Sequence, residues 1–142
     1  MLITIDNQTS FQVPTREIES ISSSLTHRDI ELIVCDNNTI RDINSKYRGI
    51  EKSTDVLSFP IDGEFDILPL GSIVISYEYA ISKANEFDHT PQDEFILLFI
   101  HGVLHLLGYD HEIDHGEMRA EEERIIKIYD LPTSLIVRTS NQ

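Results

Sequence analysis

The chain has 142 residues, of which 40% are hydrophobic and 25% charged; this predicts one folded domain over residues 1–142 and excludes disordered and fibrous proteins. Acidic residues outnumber basic ones by 25 to 11, for a net charge of −14, which argues against loose binding to nucleic acids or anionic membranes. The N-terminal residues lack a secretory signal pattern, and no apolar run reaches the roughly 18 residues of a membrane span. We therefore expect a cytoplasmic protein.

The apolar pattern predicts strands that alternate with helices. The strands are short apolar or β-branched runs at Leu2–Ile5, Ile30–Cys35, Asp55–Phe59 and Gly71–Ser76. Between the last two strands, Pro60–Pro69 is predicted as a polar loop. Apolar residues at helical spacing predict helices near Ile18–Leu25, over Thr39–Arg48, from Ser76 to Phe87, from Thr90 to Leu107 and from Asp114 to Tyr129.

Side chains that can accept hydrogen bonds from first-turn amides predict where four of these helices begin: Thr39, Ser76, Thr90 and Asp114. The helix after Thr90 is apolar on every side over Phe95–Ile100, which is typical of a helix surrounded by protein. We expect an α/β (α+β) fold: a single domain with a roughly four-stranded mixed sheet, about five helices, and one central apolar helix that carries two metal ligands.

Three histidines within residues 101–111 predict a metal site. His101 and His105 are four residues apart, so a helix places them about 40° apart on one face and one turn along. Gly108 lets the chain turn out of the helix, and His111 can then return as a third ligand with one tetrahedral position left open for water. The sequence therefore predicts one Zn²⁺ per chain at His101, His105 and His111.

Several alternatives to this site remain open. The paired histidines could be ordinary core residues, although two unpaired buried imidazoles would cost several kcal/mol. Asp110 and His115 are rival third ligands. Asp110 or Asp114 could instead orient an imidazole by accepting its second N–H, as zinc sites usually require.

The histidine spacing matches that of metzincin proteases in every element but one. Those enzymes have a glutamate after the first histidine, which activates water for peptide hydrolysis, and this chain has Gly102 there. Glycine has no side chain to act as a base. The glycine leaves the predicted metal ligands in place but disfavours a peptidase function.

Basic residues are concentrated at one place, where Arg41, Lys46, Arg48 and Lys52 lie within a short segment. Three neutral imidazoles leave a zinc ion its full charge, which suits an anionic substrate. A phosphodiester also needs a cation to offset charge on its non-bridging oxygens, and Arg48 is the leading candidate for that catalytic role. The alternative is an ordinary solvated arginine at a helix end.

Over roughly residues 40–130, the chain resembles the YbeY family of endoribonucleases and ribosomal RNA maturation factors. The matching blocks are Asn44-x-x-Tyr47-Arg48, Thr54–Pro60, Gly71–Ser76 and the segment His101–His111. The chain departs from the family pattern at Ser72, where Asp is expected, and at Ser53, where proline is common.

The resemblance implies a zinc-dependent endoribonuclease specific for single-stranded RNA, acting in 3′-end maturation of small-subunit (16S) ribosomal RNA and in ribosome quality control. It places zinc at His101, His105 and His111 and the functional arginine at Arg48. The high negative charge suggests that ribosomal or processing proteins help to bring the RNA. The alternatives are a metallopeptidase or other zinc hydrolase, and a non-catalytic, zinc-stabilised module of the ribosome.

Overall fold

The computed structural model describes residues 2–61 and 68–139. Most of the loop predicted at Pro60–Pro69 lies outside these residues. The described part of the chain forms, in order, β1 (Ile3–Asn7), α1 (Thr15–Leu25), β2 (Ile30–Cys35), α2 (Asn37–Arg48), β3 (Val56–Pro60), β4 (Gly71–Ser76), α3 (Tyr77–Phe87), α4 (Pro91–Leu106), α5 (Glu117–Ile128) and α6 (Ser134–Thr139). None of these helices is long and apolar enough to cross a membrane.

The four strands form one mixed sheet in the order β1-β2-β4-β3. β1, β2 and β4 are parallel, and β3 pairs antiparallel with β4. The inner strands β2 and β4 contribute side chains such as Leu32 and Ile73 that are fully buried, as expected for strands covered on both faces. The fold is thus the single α+β domain predicted, with one helix more than expected.

α4 crosses one face of the sheet and is surrounded by protein. It packs against β3, β4 and four other helices, so residues on all its sides, including Phe95, Phe99 and Ile100, are buried. This environment explains why α4 is apolar on every side over Phe95–Ile100. The other face of the sheet packs against α2 in a smaller cluster that includes Cys35, Ile40 and Leu57.

Two predicted helix starts are three residues or fewer from the observed ones. α2 begins at Asn37, and its N-cap is Asp36, whose carboxylate accepts from the Thr39 amide at 2.8 Å. α5 begins at Glu117, yet Asp114 still accepts a hydrogen bond from the Met118 amide at 2.9 Å. In both cases a carboxylate reaches the first turn from outside the helix, which shifts the boundary without changing the capping chemistry.

The other two capping predictions have opposite outcomes. The Thr90 hydroxyl accepts from the Asp93 amide at 3.1 Å, as predicted. The Ser76 hydroxyl makes no cap hydrogen bond in α3 and instead donates to Asn37 Oδ1 at 2.6 Å. Ser76 therefore joins β4 to the start of α2, so the prediction that its side chain caps α3 is wrong.

α6 was not predicted because it is only one and a half turns long and depends on tertiary contacts. Leu135 is fully buried, and the Arg138 guanidinium lies between two carboxylates of other elements. Its Nε donates to Glu94 Oε1 of α4 at 2.9 Å, and its Nη2 lies 3.5 Å from Asp55 Oδ2. A buried guanidinium needs such partners, so Arg138 fixes α6 against α4 and the start of β3.

Because of Glu94, the free energy of unfolding is expected to depend on pH. Its side chain is fully buried, and burial raises the pKa of Glu94 from 4.5 to about 7 in spite of the neighbouring Arg138. As the pH rises, the unfolded chain loses the proton of Glu94 before the folded chain does, because the pKa of this carboxyl is lower in the unfolded chain. The free energy of unfolding therefore falls between pH 4.5 and 7, by at most about 1.4 kcal/mol per pH unit from this group.

We expect Glu94→Gln, which cannot titrate, to lose this part of the pH dependence. Urea unfolding of the variant and the wild type from pH 4 to 8 measures the difference. Glu86→Gln is the control, because Glu86 is exposed on α3 and its removal should leave the slope as in the wild type. An unchanged slope in Glu94→Gln would contradict the assignment.

Candidate metal centre

α4 projects His101 and His105 from one face near its C-terminal end. Their Nε2 atoms are 3.1 Å apart and their ring centroids 4.7 Å apart. The His101 side chain is only 12% exposed. The helical spacing thus brings the two imidazole nitrogens to one point, as the sequence predicted.

The chain leaves α4 through a turn that returns His111 to this point. Gly108 adopts a left-handed φ of 100°, and the Tyr109 amide donates to the Leu104 carbonyl at 3.0 Å, which closes the helix end. The His111 ring centroid then lies 5.2 Å from that of His101 and 5.7 Å from that of His105.

The donor set fits a zinc ion. One ring nitrogen from each of the three histidines lies within 4.8 Å of the others. Two imidazoles on a tetrahedral Zn²⁺ with bonds of 2.0–2.1 Å have nitrogens about 3.3 Å apart, close to the 3.1 Å between His101 and His105. Within residues 2–61 and 68–139, no Cys, Asp, Glu or further His joins the cluster, which leaves room for a fourth, non-protein ligand.

The environment of His105 favours the neutral form of its imidazole, which is the form that binds metals. Burial lowers the pKa of His105, and charge on the neighbouring His101 and His111 lowers this pKa further. A neutral ring keeps a lone pair available for a cation at neutral pH.

The rival ligands lie elsewhere. Asp110 lines the adjacent cleft, but its Oδ1 accepts from the Glu112 amide at 3.0 Å and it is not part of the cluster. His115 is also outside the cluster. Asp114 accepts from the Gly116 and Met118 amides, so neither aspartate orients an imidazole through the contacts observed.

Glu122 of α5 takes the orienting role that was sought at Asp110 and Asp114. It is fully buried, and the Nδ1–H of His101 donates to its Oε1 at 3.0 Å. This hydrogen bond fixes the tautomer of His101, so that Nε2 carries the lone pair beside His105. The sequence holds a signal that was missed: Glu122 is a charged residue on the apolar stripe of Met118, Ile125 and Ile126.

We expect Glu122→Gln to weaken zinc binding by about 10- to 100-fold, because an amide orients the imidazole but makes it a weaker base than a carboxylate does. Competition with a chromophoric chelator measures the affinity, and circular dichroism checks the fold. Glu123→Gln, on the exposed side of α5 next to Lys127, is the matched control. Equal affinity in Glu122→Gln and Glu123→Gln would contradict the role of Glu122.

Gly102 faces the sheet and allows close packing there. A Cβ at this position would lie 2.9 Å from Ile73 Cγ2 and 3.3 Å from Ser58 Oγ. The Ser58 hydroxyl also donates to the Gly102 carbonyl at 3.1 Å, which ties β3 to α4. A glutamate at position 102 would collide with the sheet, so the base of the metzincin pattern cannot be accommodated here.

The histidine cluster opens into a cleft of about 520 Å³, which we call the metal cleft. Arg48, at the end of α2, lines this cleft together with the three histidines and one side of the edge strand β3. Asp55, Asp110 and Glu112 also line it, so the walls carry both signs of charge. The structure thus brings the predicted arginine and the predicted ligands to one cavity.

A histidine triad that opens into a cleft with a cation on its wall is typical of a metal-dependent hydrolase. Comparison with known proteins defines the class further. The family model described as "Endoribonuclease YbeY" matches residues 4–130, which is most of the chain. The chain belongs to this family, and the resemblance seen in the sequence motifs is confirmed.

Relatives and a solved structure agree with this membership. A protein named endoribonuclease YbeY from Sulfurimonas denitrificans is 59% identical over 97% of this chain and 99% of its own length. One of the same name from Aliarcobacter butzleri is 54% identical over 98% and 100%. The solution structure of TM1509 from Thermotoga maritima matches with a TM-score of 0.61 and 25% identity, over 89% of this chain and 87% of that one.

Proposed function

We propose that this protein is a zinc-dependent endoribonuclease that cleaves single-stranded RNA, and that it acts in 3′-end maturation of 16S ribosomal RNA and in ribosome quality control. The main support for this activity is that Arg48 and the histidine cluster line the same cleft. The roles in ribosomal RNA maturation and quality control rest on the family alone.

The histidines hold the metal, and Glu122 fixes the tautomer of the most buried one. When bound, zinc supplies Lewis acidity and a means to activate water near neutral pH. Arg48 binds the non-bridging oxygens of the scissile phosphate, because a planar guanidinium pairs with two of them at once. Its permanent charge also offsets the charge that develops on the phosphate during cleavage.

The acidic side chains restrict which RNA is bound. Asp55, Asp110 and Glu112 line the same cleft as Arg48, and the whole chain carries a net charge of −14. Long-range repulsion therefore opposes binding to bulk RNA. A ribosomal or processing partner that presents the strand would offset this repulsion, and such a partner is part of the proposal.

The alternatives have less support. A metallopeptidase of the metzincin type needs a carboxylate where Gly102 lies against Ile73. A zinc ion that only stabilises the fold is usually enclosed by four protein ligands, whereas within the described part of the chain this cluster has three and borders an open cleft.

We expect the purified protein to bind about one zinc ion per chain, and His101→Ala and His105→Ala to lose it. Elemental analysis after dialysis measures the metal content, and circular dichroism confirms that the variants fold. His115→Ala is the control, since this exposed histidine lies outside the cluster. Full occupancy in both cluster variants would refute the ligand assignment.

We expect Arg48→Ala to keep zinc and fold but to cleave single-stranded RNA about 100- to 1,000-fold more slowly, because a cation that stabilises the transition state is lost. Cleavage of a labelled single strand, with and without chelator, measures the effect. Arg41→Ala removes an exposed arginine from the same helix and should cleave at the wild-type rate. Undiminished cleavage by Arg48→Ala would remove Arg48 from the mechanism.

A further inference from the structure

A second groove lies on the face of the sheet that α2 covers, and we call it the aromatic groove. Its volume is about 420 Å³, which is large enough for a planar ring. Ile33, Ile43 and Val74 form its apolar floor, and Tyr47 and Phe59 form one wall. The roles proposed above for the metal cleft do not use this groove.

Tyr47 is unusually exposed for an aromatic residue on the apolar side of its helix. Ile40 belongs to the same apolar stripe of α2 and is fully buried, whereas Tyr47 is 64% exposed. Its ring meets Phe59 edge to face, with centroids 5.7 Å apart and an interplanar angle of 62°. This arrangement leaves much of the ring surface to solvent beside an apolar floor, where another planar ring can stack.

The aromatic groove and the metal cleft meet at two pairs of consecutive residues. Tyr47 lines the groove and Arg48 lines the cleft, while Phe59 lines the groove and Pro60 lines the cleft. The two cavities therefore lie on either side of the edge strand β3. A single strand that crosses this edge can place a phosphate at Arg48 and an adjacent base at Tyr47.

The charges around the groove select a base rather than a phosphate. Ser72 lies next to Phe59 in the sheet and Glu31 lies next to Ser72. Ser72 donates to the exposed carboxylate of Glu31 at 3.0 Å, and this carboxylate repels phosphate. Lys46 lies beside the Tyr47 ring, with its Nζ 5.3 Å from the ring centroid. The cations thus lie beside Tyr47 and in the metal cleft, whereas the only charged side chain that lines the described part of the groove is the Glu31 carboxylate. This distribution favours a base ring over a phosphate in the groove.

We propose that the aromatic groove is a nucleotide subsite in which Tyr47 and Phe59 stack on the base that flanks the phosphate at Arg48. The subsite rests on the proposed ribonuclease function and extends it. It gives single-strand preference a physical basis, because a base must leave its pair and its stack to enter the groove.

Binding of a fluorescein-labelled, single-stranded 2′-O-methyl oligonucleotide to the zinc-loaded protein tests the subsite. Fluorescence anisotropy gives the affinity, and electrophoresis checks that the strand stays intact. We expect Tyr47→Ala to weaken binding by about tenfold and Tyr47→Phe to stay within about twofold of the wild type. Ile81→Ala, which removes another exposed apolar side chain, on α3, should bind as the wild type does.

An oligonucleotide of abasic residues separates stacking from charge. If Tyr47 stacks on a base, wild type and Tyr47→Ala should bind this strand equally. Equal affinity of wild type and Tyr47→Ala for the intact strand would overturn the subsite, and so would an equal loss on both strands. In cleavage, Tyr47→Ala should raise KM and keep kcat, unlike Arg48→Ala.

The two proposals can fail separately. If the wild type cleaves no RNA but its binding still depends on both Tyr47 and the bases, the catalytic function is wrong and the subsite stands. If cleavage depends on Arg48 but binding does not depend on Tyr47, the subsite is wrong and the catalytic function stands.

Discussion

The site depends on how closely α4 approaches the sheet. Gly102 has no side chain, so the helix backbone comes near enough for the Ser58 hydroxyl to bond its carbonyl at 3.1 Å. This contact determines how far His101 and His105 lie from the edge strand β3. The metal cleft then forms between the helix and the free edge of that strand, with Arg48 on its wall. A larger residue at position 102 would meet Ile73 and Ser58, and would displace α4 and the two histidines that it carries.

The segment Thr54–Pro60 connects several elements of the fold. Within Thr54–Pro60, Asp55 accepts from the Val56 amide at 2.7 Å and pairs with Arg138. Ser58 bonds α4, and Phe59 faces α2 on the other side of the sheet. One short edge strand thus contributes to the cleft, to the packing of the central helix and to the aromatic groove.

Much of the fold could be predicted because local patterns and tertiary structure agree. β2 is apolar except at Glu31, β4 contains the apolar run Ile73–Ile75, and α4 has a clear N-cap at Thr90 and is apolar on every side over Phe95–Ile100. The histidine spacing also predicted the cluster, since helical geometry and the turn at Gly108 determine it locally.

The features that were missed depend on contacts between residues distant in sequence. Glu122 reaches His101 from a helix 21 positions away, and Arg138 reaches Glu94 across 44 positions. No local pattern specifies such pairs. A charged residue on an apolar stripe, as at Glu122, indicates only that a buried partner exists and not which residue it is.

The composition of the cluster bears on oxidative chemistry. Among the residues that the structure describes, all of its donor atoms are imidazole nitrogens. Such ligands are not oxidised to sulfenic, sulfinic and sulfonic acids as thiolate ligands are. The one cysteine of the chain, Cys35, is buried among apolar residues, and burial raises its pKa to about 11, so it stays a protonated, unreactive thiol. Peroxide that would strip zinc from a cysteine-liganded protein has no sulfur ligand to attack at this triad.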